Sequence, residues 1–157
     1  STLHTNDSPS AVTRMLDLGV PSYLISATVL GVMAQRLVRV LCPSCKKSNP
    51  ASAEDESMWD RLVAPWKANR PAQFHHPVGC LECRMTGYRG RVGVYEILML
   101  SPDMKQAISD NADVSKIRDL AYREGMKPLR ISGAMKIAAG MTTLAEVFKV
   151  APPSERA

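Results

Sequence analysis

Two Cys-x-x-Cys pairs, Cys42-Pro-Ser-Cys45 and Cys80-Leu-Glu-Cys83, use every cysteine in the chain. A two-residue spacer lets one tight turn aim both sulfurs at a single point, and Zn²⁺ takes four such ligands tetrahedrally. Cys42, Cys45, Cys80 and Cys83 therefore read as one tetrathiolate zinc site. Residues 46–79 separate the pairs, more than the roughly 15–20 of a compact ribbon, so they must form a loop or a small insertion. Two other readings are weaker. A redox dithiol needs no second pair. Structural disulfides are unnecessary in a chain of 157 residues, 45% of them hydrophobic, which can bury a core unaided. Four thiolates leave no open position for water, so the zinc is expected to be structural.

Charge narrows the field further. The formal net charge of +5 is carried by scattered Arg and Lys rather than one basic run. Only Tyr88 and Tyr95 interleave with the Arg-rich second knuckle, so a stand-alone zinc ribbon binding nucleic acid is the runner-up and no nucleic-acid partner is expected. The longest uncharged stretch reaches only to Gln35 and contains Pro21, Ser22 and Gly31, too short and polar for a membrane span. Reduced thiols point to the cytoplasm. The opening Ser1-Thr2-Leu3-His4-Thr5 has no charged or apolar leader, and its alternation reads as the end of a buried strand. The chain is expected to be a fragment.

Along the chain, Ser8 is expected to cap a helix with Pro9 at its first position and Gly19 as its stop. Leu24 to Ala34, nearly all apolar, reads as a second helix buried on most sides. Residues 35–41 change period and read as a strand delivering Cys42. Ser52 is expected to cap a helix over 53–68, bent or broken at Pro65. Gly87-Tyr88-Arg89-Gly90 reads as a turn, and residues 91–100 as the strongest strand. Beyond Ser101-Pro102 everything is helical: Asp113 to about Glu124, about Leu129 to Ala139, and a last helix opened by the capping box Thr143-Leu-Ala-Glu146. Ala151–Ala157 is expected to fray.

Several motifs carry a family resemblance. The stretch Ser-Thr-Leu-His-Thr-Asn-Asp, Ser1 to Asp7, resembles the histidine box of the secretion ATPases. The run Leu-Gly-Val-Pro-Ser-Tyr-Leu-Ile ending at Ile25 is similar in the same way, as is Ala34-Gln-Arg-Leu-Val-Arg39 leading into Cys-Pro-x-Cys. The second pair followed by Thr86-Gly-Tyr-Arg-Gly-Arg-x-Gly-x-Tyr-Glu96 continues the likeness, and Gly140-Met-Thr-Thr-Leu-Ala-Glu-Val147 closes it. Together they resemble the C-terminal part of the type II secretion and type IV pilus assembly ATPases, without separating the two branches.

The resemblance implies an α/β fold: the C-terminal portion of a RecA-like P-loop ATPase core with a zinc-binding insertion and a C-terminal helical subdomain. Residues 1–41 would be the core remnant, 42–90 the zinc insertion, 91–100 a return strand and 101–157 the helical subdomain and tail. In this picture zinc replaces a hydrophobic core that a short polar insertion cannot build. The resemblance further implies a homo-hexamer at the cytoplasmic face of the inner membrane. There it would use ATP and Mg²⁺ to move domains against inner-membrane platform and linker proteins. His4 would be catalytic, sensing the γ-phosphate or orienting water. Arg36, Arg39 and Arg91 are candidates for nucleotide or intersubunit contact, Arg36 and Arg91 foremost, and for each of the three a structural ion pair, for instance with Glu96, is the plainer alternative. No Gly-x-x-x-x-Gly-Lys-[Ser/Thr] occurs in these residues, so the chain alone is expected to be inactive. His75-His76 is a runner-up metal pair. Gly87, Gly90 and Gly93 are read as permitting tight turns rather than cradling phosphate, and the scattered methionines as packing.

Overall fold

The computed structural model describes residues 1–153. Among the described residues there are helices and two two-stranded sheets, and the chain divides into two compact units. One comprises residues 1–35 and 95–128, the other residues 36–94 and 129 onward. Two long strands, β1 (Gly31–Leu41) and β4 (Tyr88–Met99), pair with each other. Leu100 N–H donates to the Leu30 carbonyl at one end, and Cys42 N–H to the Gly87 carbonyl at the other. The two strands therefore run antiparallel.

In the first unit, α1 (Ser8–Asp17) is capped by Asp7 rather than Ser8, the Asp7 carboxylate accepting the Ser10 N–H at 2.8 Å. A carboxylate at that position satisfies an orphan donor and suits the positive end of the helix. Ser8 instead begins the helix, fully buried, with Pro9 beside it. The chain then forms α2 (Ser22–Thr28). The expected helix over Leu24–Ala34 stops at Thr28, and β1 starts at Gly31. The run is apolar throughout, so periodicity alone could not separate helix from strand. Pairing decides it: the segment from Gly31 is hydrogen-bonded to another strand, with Ala34 buried and Leu30 and Met33 exposed. Nor is α2 buried on most sides, since Ile25 is its one buried residue and Tyr23 and Leu24 face solvent. Ser1–Thr5 forms no strand and joins neither sheet. Helices α4 (Pro102–Ser109) and α5 (Val114–Arg123) complete the unit, capped by Ser101 and Asp113 as expected. Its core gathers Val12, Ile25, Leu98, Met104, Ile108 and Ile117.

The second unit is organised around α3 (Ala53–Val63), opened by a full capping box between Ser52 and Asp55. It ends at Val63 rather than Ala68, because Ala64 precedes Pro65 and is driven into extended backbone. On either side of α3 lie β2 (Lys47–Pro50) and β3 (Gln73–His76), paired antiparallel with Lys47 opposite His76 and Ser48 opposite His75. These two strands were not foreseen; β2 is exposed at every position and carries no hydrophobic alternation. Trp59, Leu62 and Phe74 are buried, with the Trp59 and Phe74 rings meeting edge-on at 6.0 Å. The cysteine-bearing stretch thus owns a hydrophobic core, contrary to the expectation that metal alone would hold it.

That core is shared with α6 (Leu129–Ala138) and α7 (Leu144–Val150), both packed on α3. Gly133 is what lets α6 approach α7: a Cβ there would stand 2.4 Å from Val147 Cγ1. Buried Arg130 donates to the Leu62 carbonyl and lies over the Trp66 ring. Strand β4 begins at Tyr88, three residues before the expected Arg91, so Gly90 sits within a strand with positive φ, while Gly93 takes no positive φ. Thr143 caps α7 as predicted, but Glu146 does not close the capping box with it.

Candidate functional site

Strand β1 delivers Cys42 at its end, and a turn returns the chain to it, Lys46 N–H donating to the Cys42 carbonyl at 3.0 Å. The second knuckle is a single 3₁₀ turn, Leu81–Cys83, closed by Met85 N–H on the Cys80 carbonyl at 2.8 Å. Arg84 and Met85 follow in left-handed backbone. The two turns bring all four sulfurs within 4.8 Å of one another. Cys42 to Cys80 is 3.8 Å, Cys45 to Cys83 is 3.9 Å and Cys80 to Cys83 is 3.8 Å. A tetrahedron with metal–sulfur bonds of about 2.3 Å has edges of about 3.8 Å. The donor set therefore fits one tetrahedral, thiophilic ion, and these four residues could hold it.

Backbone donors surround the sulfurs. Gly79 N–H reaches Cys45 Sγ at 3.3 Å, and the N–H groups of Cys80 and Gly87 reach Cys83 Sγ at 3.2 Å each. Such contacts disperse thiolate charge and orient the ligands. Burial works against ionising Cys83, yet the N–H groups of Cys80 and Gly87 outweigh it and bring that thiol down to about 6. Cys80 moves the other way, to about 11. Its backbone contact with Cys83 favours the thiolate, but burial and hydrogen bonds to the Cys83 and Cys42 sulfurs dominate. The two titrate as a pair. Gly87 is required sterically, since at φ +78° a Cβ would lie 2.4 Å from Pro77 Cβ. Ser44 donates to Glu82 at 2.5 Å, joining the knuckle tips.

His75 and His76 stand apart from this group, on β3. The His75 ring lies against Gly140, and its Nδ1 is buried without a hydrogen-bond partner. Burial, then nearby Lys46 and His76, push its pKa below the ordinary value. His75 of the runner-up metal pair is thus packed against Gly140 rather than aimed at the sulfurs.

Arg39, weighed as a phosphate ligand, is committed elsewhere. Its Nε and Nη2 donate to Glu146 Oε1 at 3.1 and 2.7 Å, and its backbone N–H to Oε2 at 3.0 Å. Its guanidinium also lies 4.0 Å from the centre of the Tyr88 ring. Its partner is not Glu96, whose carboxylate accepts the Ser8 N–H at 2.9 Å. Arg36 is half-buried on β1 and Arg91 exposed on β4, both in the second unit, whereas His4 belongs to the first and is exposed. Past His4, Thr5 donates to the Asp7 carbonyl at 3.2 Å, and Asp7 pairs with Arg118 of α5 at 2.8 Å. Burial would raise the Asp7 pKa, but hydrogen bonds from Ser10 and the Arg118 guanidinium lower it. Sequence reading missed Arg118, the pairing of Glu146 with Arg39 and the role of Asp7. For Asp7 the signal was present, an aspartate just before Ser-Pro; the two long-range partners gave none.

A family described as Type II/IV secretion system protein has a sequence model that matches residues 1–149. A protein named type IV pilus assembly ATPase TfpB from Acinetobacter baylyi is 49% identical over 152 residues, covering 97% of this chain and 26% of the relative. The type IV pilus assembly ATPase PilB of Myxococcus xanthus is 42% identical, with 94% and 26% covered. The type II secretion system ATPase E of Vibrio cholerae is 38% identical, with 98% and 29% covered. The chain thus spans little more than a quarter of the length of the relatives it matches. Among the described residues, no helix is long and apolar enough to cross a membrane.

Proposed function

This chain belongs to the type II/IV secretion system protein family, and on that premise we propose that it is the C-terminal part of an ATPase that drives type II secretion or type IV pilus assembly. The observation that carries the proposal is the likeness over residues 1–149, which holds to relatives named for both machines. The activity belongs to the longer protein, a RecA-like hexamer using ATP and Mg²⁺ at the cytoplasmic face of the inner membrane. It moves domains against platform and linker proteins there. In this reading residues 1–41 and 91–100 contribute to the ATPase core, 42–90 form the zinc-bearing segment, and 101–157 the C-terminal helical subdomain and tail.

His4 is the catalytic residue of this segment, and Arg36 and Arg91 are its contacts to nucleotide or to an adjoining subunit. Cys42, Cys45, Cys80 and Cys83 hold a structural Zn²⁺, supported by the sulfur spacing of about 3.8 Å that such an ion requires. When bound, zinc supplies a fixed junction between the two knuckles and no reactive position.

The test is ATP turnover in the full-length protein. His4→Ala is expected to abolish turnover while nucleotide binding is largely kept, and the isolated chain is expected to be inactive. Unchanged turnover in His4→Ala removes it from the catalytic list. Elemental analysis checks the metal, with one zinc per chain expected.

A further inference from the structure

We infer that the Asp7–Arg118 ion pair is a positioning contact for His4, through which helix α5 sets where that imidazole stands. The inference rests on the catalytic reading of His4 proposed above. Three residues separate His4 from the first residue of α1, and the last of them, Asp7, uses its two carboxylate oxygens differently. Oδ1 accepts the Ser10 N–H at 2.8 Å, a local helix cap that Asn or Ser would provide equally well. Oδ2 accepts Arg118 Nη2 at 2.8 Å, a tie to a helix more than a hundred residues away. Thr5 Oγ1 donates to the Asp7 carbonyl, folding the residue after His4 back onto this anchor.

The next residue is held just as firmly. Ser8 gives its N–H to Glu96 Oε1 at 2.9 Å and its hydroxyl to the Glu96 carbonyl at 3.1 Å, both buried. The first turn of α1 is therefore pinned to β4 through Ser8 and to α5 through Asp7. The side chains of Arg118 and Asp7 are 31% and 26% exposed, so water screens the pair only in part and its contribution to stability is modest. What it does fix is direction. A charge-assisted bond at this length restrains the exit of the His4 segment, and misplacing a reacting group by about 1 Å costs about a hundredfold in rate.

The experiment compares Asp7→Asn, Arg118→Gln, Arg118→Lys and His4→Ala in the full-length ATPase. Asp7→Asn can keep the helix cap through its one amide oxygen, but it removes the charge and turns an NH₂ donor towards the Arg118 guanidinium, so the tie to α5 is lost. Asp7→Asn and Arg118→Gln are expected to lower kcat about ten- to a hundredfold, with KM changed less than about twofold and the thermal midpoint lowered only modestly, out of proportion to the loss of kcat. Arg118→Lys is expected to recover most of kcat. In the chain described here, ¹⁵N order parameters of His4 and Thr5 are expected to fall from a rigid value of about 0.85 towards 0.6 in both charge-removing variants. Unchanged kcat in both, with turnover abolished in His4→Ala, overturns this inference and leaves the catalytic reading standing. A kcat loss that tracks a matching loss of thermal midpoint also overturns it, since the contact would then be structural. Unchanged turnover in His4→Ala overturns the catalytic reading itself.

Discussion

Glu146→Gln isolates the contact that fastens the last helix to the strand entering the metal site. The Glu146 side chain is 7% exposed and accepts three hydrogen bonds from Arg39, with Lys149 Nζ a further 3.6 Å away. Gln preserves the shape and one acceptor oxygen. It removes the charge and turns an NH₂ donor towards either the Arg39 N–H or its guanidinium. A hydrogen bond to a charged group contributes about 1.5–3 kcal/mol. The Arg39 side chain is 46% exposed, so water recovers part of what the guanidinium loses. A net destabilisation of about 2 kcal/mol follows. In a unit of this size class, 1 kcal/mol moves the midpoint by about 4–8 °C, so a fall of about 8–16 °C is expected.

Both tryptophans, Trp59 and Trp66, lie in residues 36–94, so their fluorescence reports this unit alone. Acid supplies the second arm. The Arg39 hydrogen bond holds the Glu146 carboxyl below its ordinary pKa, outweighing burial, which would raise it. A carboxyl depressed on folding gives stability that is complete above its unfolded pKa, about 4.3, and is lost as pH falls through the folded value. The parent and Glu146→Gln midpoints are therefore separated at neutral pH and converge in acid below about pH 4. A gap under about 2 °C at neutral pH, or curves that stay parallel down to pH 3, refutes the reasoning.

Two further substitutions probe close approaches. Gly133→Ala places a methyl against the branched Val147 side chain, and the cost of overpacking, about 1–3 kcal/mol, exceeds the roughly 1 kcal/mol gained in helix propensity. Lower tryptophan-detected stability, recovered by adding Val147→Ala, is expected; a stabilised single variant would show that α6 and α7 can part at no cost. Gly87→Ala strains a left-handed residue against Pro77 and displaces the N–H aimed at Cys83 Sγ, so metal affinity is expected to fall about 10- to 100-fold in competition with a chromophoric chelator. Equal affinity would mean that this donor has no part in arranging the ligands.

Local signals were the legible ones. Cys-x-x-Cys spacing, the caps at Ser52, Ser101, Asp113 and Thr143 and the proline stop near Pro65 each act within a few residues, and each has its structural counterpart. The failures have a common cause. Leu24–Ala34 is apolar on every side, so its division into α2 and β1 depends on what packs against it. β2 is polar and exposed, and pairing with β3 shows in backbone hydrogen bonds that leave no mark on side-chain pattern. Glu146 had the right spacing for a capping box, and its carboxylate went to Arg39 because a guanidinium and a backbone N–H lay together there. The four-sulfur cluster was readable; the contacts that tie it to the C-terminal helices were not.

Those contacts change what metal removal should do. The first knuckle is gripped from both sides by the turn between α6 and α7: Leu41 N–H, just before Cys42, donates to the Met141 carbonyl at 2.8 Å, and Lys46 Nζ, just after Cys45, donates to the Gly140 carbonyl at 2.8 Å. Trp59, by contrast, is 1% exposed in a core made by α3, β3, α6 and α7, none of which contains a ligand. Loss of a bound ion should therefore free the knuckles and the α6–α7 turn while leaving the tryptophan core closed. Cys80→Ser, or chelation of the parent, is expected to speed amide exchange at residues 79–87, and also at Gly140 and Met141, without red-shifting Trp59 emission. Exchange confined to the second knuckle would mean that Lys46 and Leu41 transmit nothing. A fully red-shifted spectrum would mean that the hydrophobic core depends on the metal after all.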